Sequence, residues 1–112
     1  MKSRRSKACD IPQKVKDKVF ERDKGECVWC HNTVNVMPSA HYLSRAHGGL
    51  GVEENILTLC TDFTERKCHD RYDHGMREER AEMKEKFRNY LKEKYPYWDE
   101  KFITYRKWSD GK

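Results

Sequence analysis

Four of the five cysteines in this 112-residue chain form two pairs. Two residues separate Cys27 from Cys30, a spacing that forms a knuckle and directs both sulfurs to one metal ion. Seven residues lie between Cys60 and Cys68, and a loop of this size can still close on a metal because closure entropy grows slowly with length. We therefore predict a structural zinc site made of Cys27, Cys30, Cys60 and Cys68. A redox pair or buried free thiols are the alternatives.

Two further residues are candidate ligands for this site, Cys9 because of its residue type and His31 because of its position. Cys9 is left over in a basic N-terminal stretch, MKSRRSKACD, and we expect it to take no part in the site. His31 follows the knuckle directly and could replace one thiol as a ligand. A turn residue is the favoured interpretation of His31.

A second group of residues, made of histidines and carboxylates, could also carry out chemistry. His69 and Asp73 are four residues apart, so they share one face if this stretch is helical. An imidazole and a carboxylate in that arrangement can hold a divalent metal and leave positions open for water and substrate. His74 would point about 100° away from Asp73 and ranks behind it. The alternative is an ordinary His–Asp pair on the surface.

The elements that must position these residues can be predicted from periodicity. Val15, Val19 and Phe20 follow a helical pattern over 12–23 that Asp23-Lys24-Gly25 ends. Residues 33–43 resemble strand material broken at Pro38-Ser39, and the most apolar run, 56–60, follows a Gly-rich loop at 44–51. A polar loop at 61–67 precedes a helix that starts at 68 and ends at Gly75.

The last third of the chain has a different character. Apolar residues follow one helical stripe between 76 and 94, at positions 76, 83, 87, 90 and 91. Pro96 stops this helix, and 102–105 is predicted as a last strand. We divide the chain into a basic flexible N-terminal arm (1–10), a domain (11–75) and a helical, aromatic C-terminal extension packed on the domain (76–112).

The composition predicts a thin core, because 36% of the residues are hydrophobic and 38% are charged. Chains of this size with so little apolar material often need a metal or a disulfide.

No apolar segment follows the basic N-terminus, and no run approaches the about 18 apolar residues of a membrane span. A reducing compartment is therefore expected, where cysteine pairs favour metal. The net charge of +5 tilts the expected partner toward a polyanion.

Taken together, four segments carry a family resemblance. The order CVWC, AHYLSRAHGG, VEENILTLC and KCHDRYD resembles the HNH nucleases, also called ββα-metal nucleases, and in particular small phage-encoded members with a cysteine-held zinc. The resemblance covers about residues 15–75. It implies an α+β fold, a small zinc-stabilised ββα-metal (HNH) domain with flanking N- and C-terminal helices.

The resemblance also implies an activity, the metal-dependent hydrolysis of DNA phosphodiester bonds. His41 matches the general base that activates water, and Asn55 matches the asparagine that fixes the base's orientation through a bond to its ring. His69 and Asp73 match the ligands of a catalytic divalent cation, which would be Mg2+ or another divalent cation such as Mn2+ or Ni2+. The catalytic residues implied are thus His41, Asn55 and His69.

DNA contacts are expected from Arg45, beside a Gly48-Gly49 loop that would pass close to a phosphate, and from Arg4 and Arg5 of the arm. His47 is expected to be a loop residue. The sequence departs from the family at Ala40, where many members carry a metal ligand, and in the wide gap before Cys68. The resemblance extends the expected partners to phage packaging proteins, and the expected location to the cytoplasm of a bacterial host.

A protein of another class fits part of the pattern. A non-catalytic, zinc-stabilised DNA-binding module of the same fold would also need the four cysteines and the basic residues. Such a module has no need of His41 together with Asn55, so this pair favours the enzyme. A redox protein fits poorly, because neither cysteine pair lies in a βαβ pattern.

Overall fold

The computed structural model describes residues 4–61 and 63–105, which form a small α+β domain. Its helices and strands, in chain order, are α1 (Arg4–Cys9), α2 (Gln13–Arg22), β1 (Val36–His41), β2 (Ile56–Cys60), α3 (Cys68–His74) and α4 (Arg77–Lys94). Short 3-10 turns lie at Arg45–His47, Glu53–Asn55 and Glu100–Ile103. The predicted helices over 12–23, 68–74 and 76–94 are confirmed to within a few residues.

The two strands form an antiparallel hairpin at the centre of the domain. Val36 lies opposite Cys60, and His41 lies opposite Ile56 at the other end of the ladder. The register shifts between Met37 and Ala40, where Pro38 has no N–H to donate to the ladder. The predicted break in the strand is therefore a bulge within β1. Every residue of β2 is buried, which explains why this stretch is the most apolar of the chain.

Helix α4 contributes one apolar stripe to the core. Met83, Phe87 and Leu91 are fully buried at intervals of four residues, as the sequence predicts. The Phe87 ring meets Tyr72 edge-on, with the ring centroids 5.0 Å apart. Met76 was expected in the same stripe but is 73% exposed, because it lies before the first turn of α4 as its N-cap.

A buried ion pair ties α2 to the rest of the core. The side chain of Asp23 is fully buried and accepts hydrogen bonds from Arg22 Nε (2.7 Å), Tyr90 OH (2.5 Å) and the Thr58 N–H (2.9 Å). Burial alone would lower the pKa of Arg22, but the Asp23 carboxylate raises it above its usual value. A buried pair with its hydrogen bonds satisfied is costly to break from one side, so this contact fixes α2 against β2 and α4.

The N-terminal arm contains a helix over its described residues. Helix α1 spans Arg4–Cys9, the Ala8 carbonyl accepts the Gly51 N–H (2.9 Å), and Cys9 is buried. As expected, Cys9 is not one of the four cysteines whose sulfurs lie together, and its side chain lies in the interior. Residues 1–3 of the arm lie outside the described residues.

The predicted strand over 102–105 is wrong. Glu100–Ile103 is a 3-10 turn, and Thr104 forms only an isolated bridge with Gly49. The Asp99 side chain accepts the Lys101 N–H (2.8 Å), and the Thr104 hydroxyl donates to the Glu100 carbonyl (2.6 Å). Such local side-chain bonds compete with a strand ladder, which explains the difference. Residues 106–112 lie outside the described part of the chain.

Candidate metal centre and active-site groove

The four paired cysteines converge on one point, as predicted. The Sγ atoms of Cys27, Cys30, Cys60 and Cys68 all lie within 4.8 Å of one another. A tetrahedral zinc with Zn–S bonds of about 2.3 Å needs sulfur atoms about 3.8 Å apart, so the spacing suits a metal ion such as zinc. All four are free thiols. We call this group the cysteine cluster.

Local hydrogen bonds shape the knuckle that carries the first two thiols. The Cys30 N–H donates to the Cys27 Sγ (3.5 Å), and the Val28 N–H donates to the Thr58 carbonyl of β2 (2.9 Å). His31 completes the turn with a left-handed φ of +66°. Its exposed ring contacts Glu26 (3.1 Å), so His31 is a turn residue rather than a member of the cluster.

The other two thiols come from the end of β2 and the start of α3. Cys60 is the last residue of the strand, and Cys68 is the first residue of the helix. The Thr61 hydroxyl donates to the Asn35 carbonyl (2.8 Å), and the Thr64 hydroxyl accepts the Lys67 N–H (3.0 Å). These bonds hold the described residues at the two ends of this loop, and the wide spacing does not remove Cys68 from the cluster.

The electrostatics of the cluster favour a bound cation. Burial raises the pKa of the Cys27 and Cys68 thiols. Burial also acts to raise the pKa of Cys30, but the Asn32 N–H and the neighbouring thiols outweigh it and lower that pKa to about 7. Four adjacent thiolates would repel one another strongly. A divalent cation removes this repulsion and lets the thiols lose their protons, which couples metal binding to folding.

A second group of polar side chains lines an open groove of about 1100 Å³. The end of β1, the Arg45–His47 turn, α3 and the first half of α4 form its walls. His41, His69 and Asp73, which the sequence predicts as one site, all line this groove. His47 and His74 also lie along it.

His41 is held by the N-terminal helix. Its Nε2 lies 2.9 Å from the carbonyl oxygen of Cys9. Because a carbonyl only accepts hydrogen bonds, Nε2 carries the proton and Nδ1 keeps the lone pair in the neutral ring. Burial lowers the pKa of His41, and the nearby Arg45 and His69 lower it further, against the Cys9 bond and Asp73. The lowered pKa favours the neutral form of the ring.

His69 and Asp73 meet on one face of α3, as their spacing predicts. His69 Nε2 lies 3.3 Å from Asp73 Oδ2, with side chains 32% and 43% exposed. This geometry leaves both groups accessible to a cation and its other ligands. His74 instead contacts Asp70 (3.1 Å) and is 76% exposed, in agreement with its lower rank.

Asn55 has a different partner from the one expected. Its side chain is fully buried; Oδ1 accepts the Leu43 N–H (2.8 Å), and Nδ2 donates to the carbonyls of Leu43 (3.1 Å) and Leu50 (2.9 Å). The expected bond to the His41 ring is wrong. The amide instead satisfies backbone groups of the half-buried loop that follows His41.

Two other residues of this loop are structural. A Cβ on Gly49 would lie 1.6 Å from the Leu43 carbonyl oxygen, so glycine is required there for the loop to close. Gly48 and Gly49 are both buried, and the close approach of their loop to a phosphate stays a prediction. Ala40 is also fully buried and has no ligand atom to offer.

The arginines predicted to bind DNA also bind the protein itself. Arg45 donates to the Cys9 carbonyl (3.1 Å) and pairs with Asp10 (2.9 Å), yet its side chain stays 47% exposed in the groove. Arg5 donates to the carbonyls of Arg45 (3.1 Å) and Ala46 (2.6 Å). Both contacts join α1 to the groove. Arg4 is exposed, and DNA binding by these arginines remains a prediction.

Sequence reasoning missed the basic residues that α2 and α4 contribute to the groove. They are Lys16, Arg77, Arg80 and Lys84. The signal for the last three was present, because positions 77, 80 and 84 share one face of a helix. No signal in the sequence points to the Cys9 carbonyl.

Comparisons with known proteins find no matching family model, no similar curated protein and no similar solved structure. Among the helices of residues 4–61 and 63–105, none has the length and apolarity needed to cross a membrane.

Proposed function

We propose that this protein is a metal-dependent HNH-type endonuclease that hydrolyses phosphodiester bonds in DNA. The observation that carries the proposal is the meeting of His41 with His69 and Asp73 in one groove lined by basic side chains. The order β1, β2, α3, with a cysteine cluster at the start of α3, also supports a zinc-stabilised ββα-metal domain.

In this proposal, His41 is the general base. Its Nδ1 takes a proton from the water that attacks phosphorus, while Nε2–H stays bonded to the Cys9 carbonyl (2.9 Å) and fixes the ring. A base must be unprotonated to act, and the lowered pKa of His41, caused mainly by burial, favours that form at pH 7.

His69 and Asp73 are the residues that would hold a catalytic divalent cation. Their ligand atoms are 3.3 Å apart and partly exposed, which fits a cation with further open positions. When bound, Mg2+, Mn2+ or Ni2+ would neutralise charge on the phosphate and help the 3′ oxygen to leave. Because Ala40 offers no third ligand, we expect the cation to bind more tightly when DNA is present.

The test is the cleavage of supercoiled plasmid with and without added Mg2+, Mn2+ or Ni2+. His41→Ala should lower the rate by about 100- to 10,000-fold, while the zinc content and unfolding temperature stay close to those of the parent. His47→Ala is the matched control, since His47 lines the same groove and has no assigned role. His69→Ala should lower the rate and raise the metal concentration required.

Two outcomes would contradict the enzyme. One is a His41→Ala protein that cuts as fast as the parent. The other is a parent that binds DNA but cuts with none of these cations, which would favour a non-catalytic DNA-binding module.

A further inference from the structure

The side of α4 that faces the groove carries charge of one sign. Arg77, Arg80 and Lys84 line the groove together with Ala81. Carboxylates are frequent on the same helix, at 78, 79, 82, 85 and 93, yet within the described chain none of these lines the groove. The charged side chains of α4 that line the groove are therefore all basic. Solubility alone does not require this separation.

Residues outside α4 add charge of the same sign. Lys16 and Arg45 also line the groove, which across the described residues has five Lys and Arg side chains against two carboxylates. Both carboxylates have cationic or imidazole partners, Asp10 with Arg45 and Asp73 with His69. The groove thus has an excess of positive charge contributed by several elements of the fold, which suits a polyanion larger than a single phosphate.

Contacts with the groove floor hold part of the α4 wall in place. The Lys84 Nζ lies 5.8 Å from the centroid of the Tyr42 ring, and the Arg80 Nε donates to the Tyr72 carbonyl (3.0 Å). The guanidinium of Arg80 has further N–H donors. Arg77 and Lys84 are exposed, so they can be changed without opening the core.

The aromatic rings in the groove do not suit stacking on bases. Tyr42 and Tyr72 are 2% and 8% exposed, and the Tyr72 hydroxyl donates to the Tyr42 carbonyl (2.7 Å). Exposed rings are present elsewhere in the described chain, at Phe20, Phe63, Tyr97 and Phe102, but these do not line the groove. Single strands are gripped largely by stacking, whereas a duplex can be held by its phosphates alone.

We infer that the Arg77–Arg80–Lys84 face of α4 holds the phosphate backbone of double-stranded DNA against the groove. This inference rests on the proposed function for the identity of the polymer, and it adds the strandedness and the surface that binds it. Binding through this face should be independent of base sequence, because phosphate contacts carry no base information.

The test measures binding of a labelled duplex oligonucleotide by fluorescence anisotropy over a range of salt concentrations, without added divalent metal. Arg77→Gln with Lys84→Gln should reduce the slope of log affinity against log salt by about 2, since each lost phosphate contact removes about 0.9. Lys92→Gln with Lys94→Gln makes the same charge change on the same helix, away from the groove. This control should keep the parental slope.

Three results would overturn the inference. They are an unchanged slope in the Arg77/Lys84 variant, an equal loss in the Lys92/Lys94 control, and a single strand or duplex RNA of the same sequence that binds as tightly as the DNA duplex. Unfolding temperatures of both variants should match the parent, because the four side chains are exposed.

The two proposals fail in different ways. A parent that cuts plasmid while the α4 variant binds normally would refute the inference and leave the nuclease intact. A parent that binds duplex through α4 and never cuts would refute the nuclease and leave the inference intact.

Discussion

Helix α3 contributes side chains to both the cysteine cluster and the groove, but its side chain in the cluster is buried, whereas its histidine and aspartate side chains in the groove are partly exposed. Cys68 joins three other thiols, and all except the half-buried Cys30 are buried. His69, the next residue, and Asp73 lie partly open to solvent. A metal site with four protein ligands is closed and contributes to folding, whereas a site with few protein ligands keeps positions for water and substrate.

This difference suggests that residues of one short helix have two separate roles, one in folding and one in activity. Changes in the cysteine cluster should alter whether the chain folds, and changes in the groove should alter what the folded chain does. Four predictions test this division, from the largest expected effect to the smallest.

Cys27→Ser should abolish the cooperative fold. Structural zinc supplies about 10–16 kcal/mol in small zinc domains, which is as large as the total stability of about 5–15 kcal/mol of a typical domain. Thermal unfolding followed by circular dichroism, with metal analysis, measures the effect. Cys9→Ser, at a buried thiol outside the cluster, should keep the metal and a cooperative transition. A metal-free Cys27→Ser protein with the parental unfolding temperature would refute the prediction.

Asn55→Ala should lower the free energy of unfolding by about 3 kcal/mol, because it removes a fully buried amide and its three hydrogen bonds to the backbone of Leu43 and Leu50. Denaturant titration gives the value, and the exposed Asn89→Ala on α4 serves as the control. The cleavage rate should also fall, since the loop that Asn55 holds follows His41 directly. A loss of less than 1 kcal/mol would show that the loop closes without this amide.

Gly51→Ala should reduce the cleavage rate by about 100-fold, a loss that a displacement of about 1 Å near the reacting groups can cause. A Cβ on Gly51 would lie 1.8 Å from the Asp10 carbonyl oxygen, so the end of α1 must move and take the Cys9 carbonyl away from His41. Cys9→Ser keeps that carbonyl and should keep the rate. Parental activity in Gly51→Ala would mean that α1 does not position the base.

The cleavage rate should fall at acid pH with a midpoint below 6.5. Burial lowers the pKa of His41 below its ordinary value of 6.5, so the ring should take up a proton, and lose its free lone pair, at a lower pH than an ordinary histidine. A rate profile for the parent and for His47→Ala should show this acid limb, and the residual rate of His41→Ala should not. A midpoint at or above 6.5 would argue against His41 as the base.

The sequence predicts best those features that depend on near neighbours along the chain. The knuckle needs only Cys27, Cys30 and the turn between them, and the His69–Asp73 pair needs only one helical turn. The buried stripe of α4 also follows from its spacing. In each case the residue types and their spacing are enough to predict the geometry, because the contact is local or purely apolar.

The features that the sequence does not reveal depend on packing between distant segments. The partner of the His41 ring is a backbone carbonyl in α1, and any residue type at position 9 would supply one. The Asn55 amide could reach either the His41 ring or the loop backbone, and the path of residues 43–50 decides between them. At 102–105, local bonds of Asp99 and Thr104 outweigh the β propensity of the apolar residues.

The peptide bond between Cys68 and His69 joins the two regions covalently. A reagent that alkylates or oxidises the cysteine thiols would displace the start of α3 and, with it, the histidine one residue further on. Inactivation by such a reagent would then be all-or-none for each molecule. In a partly treated sample, the fraction of competent molecules would fall while each surviving molecule turned over at its original rate.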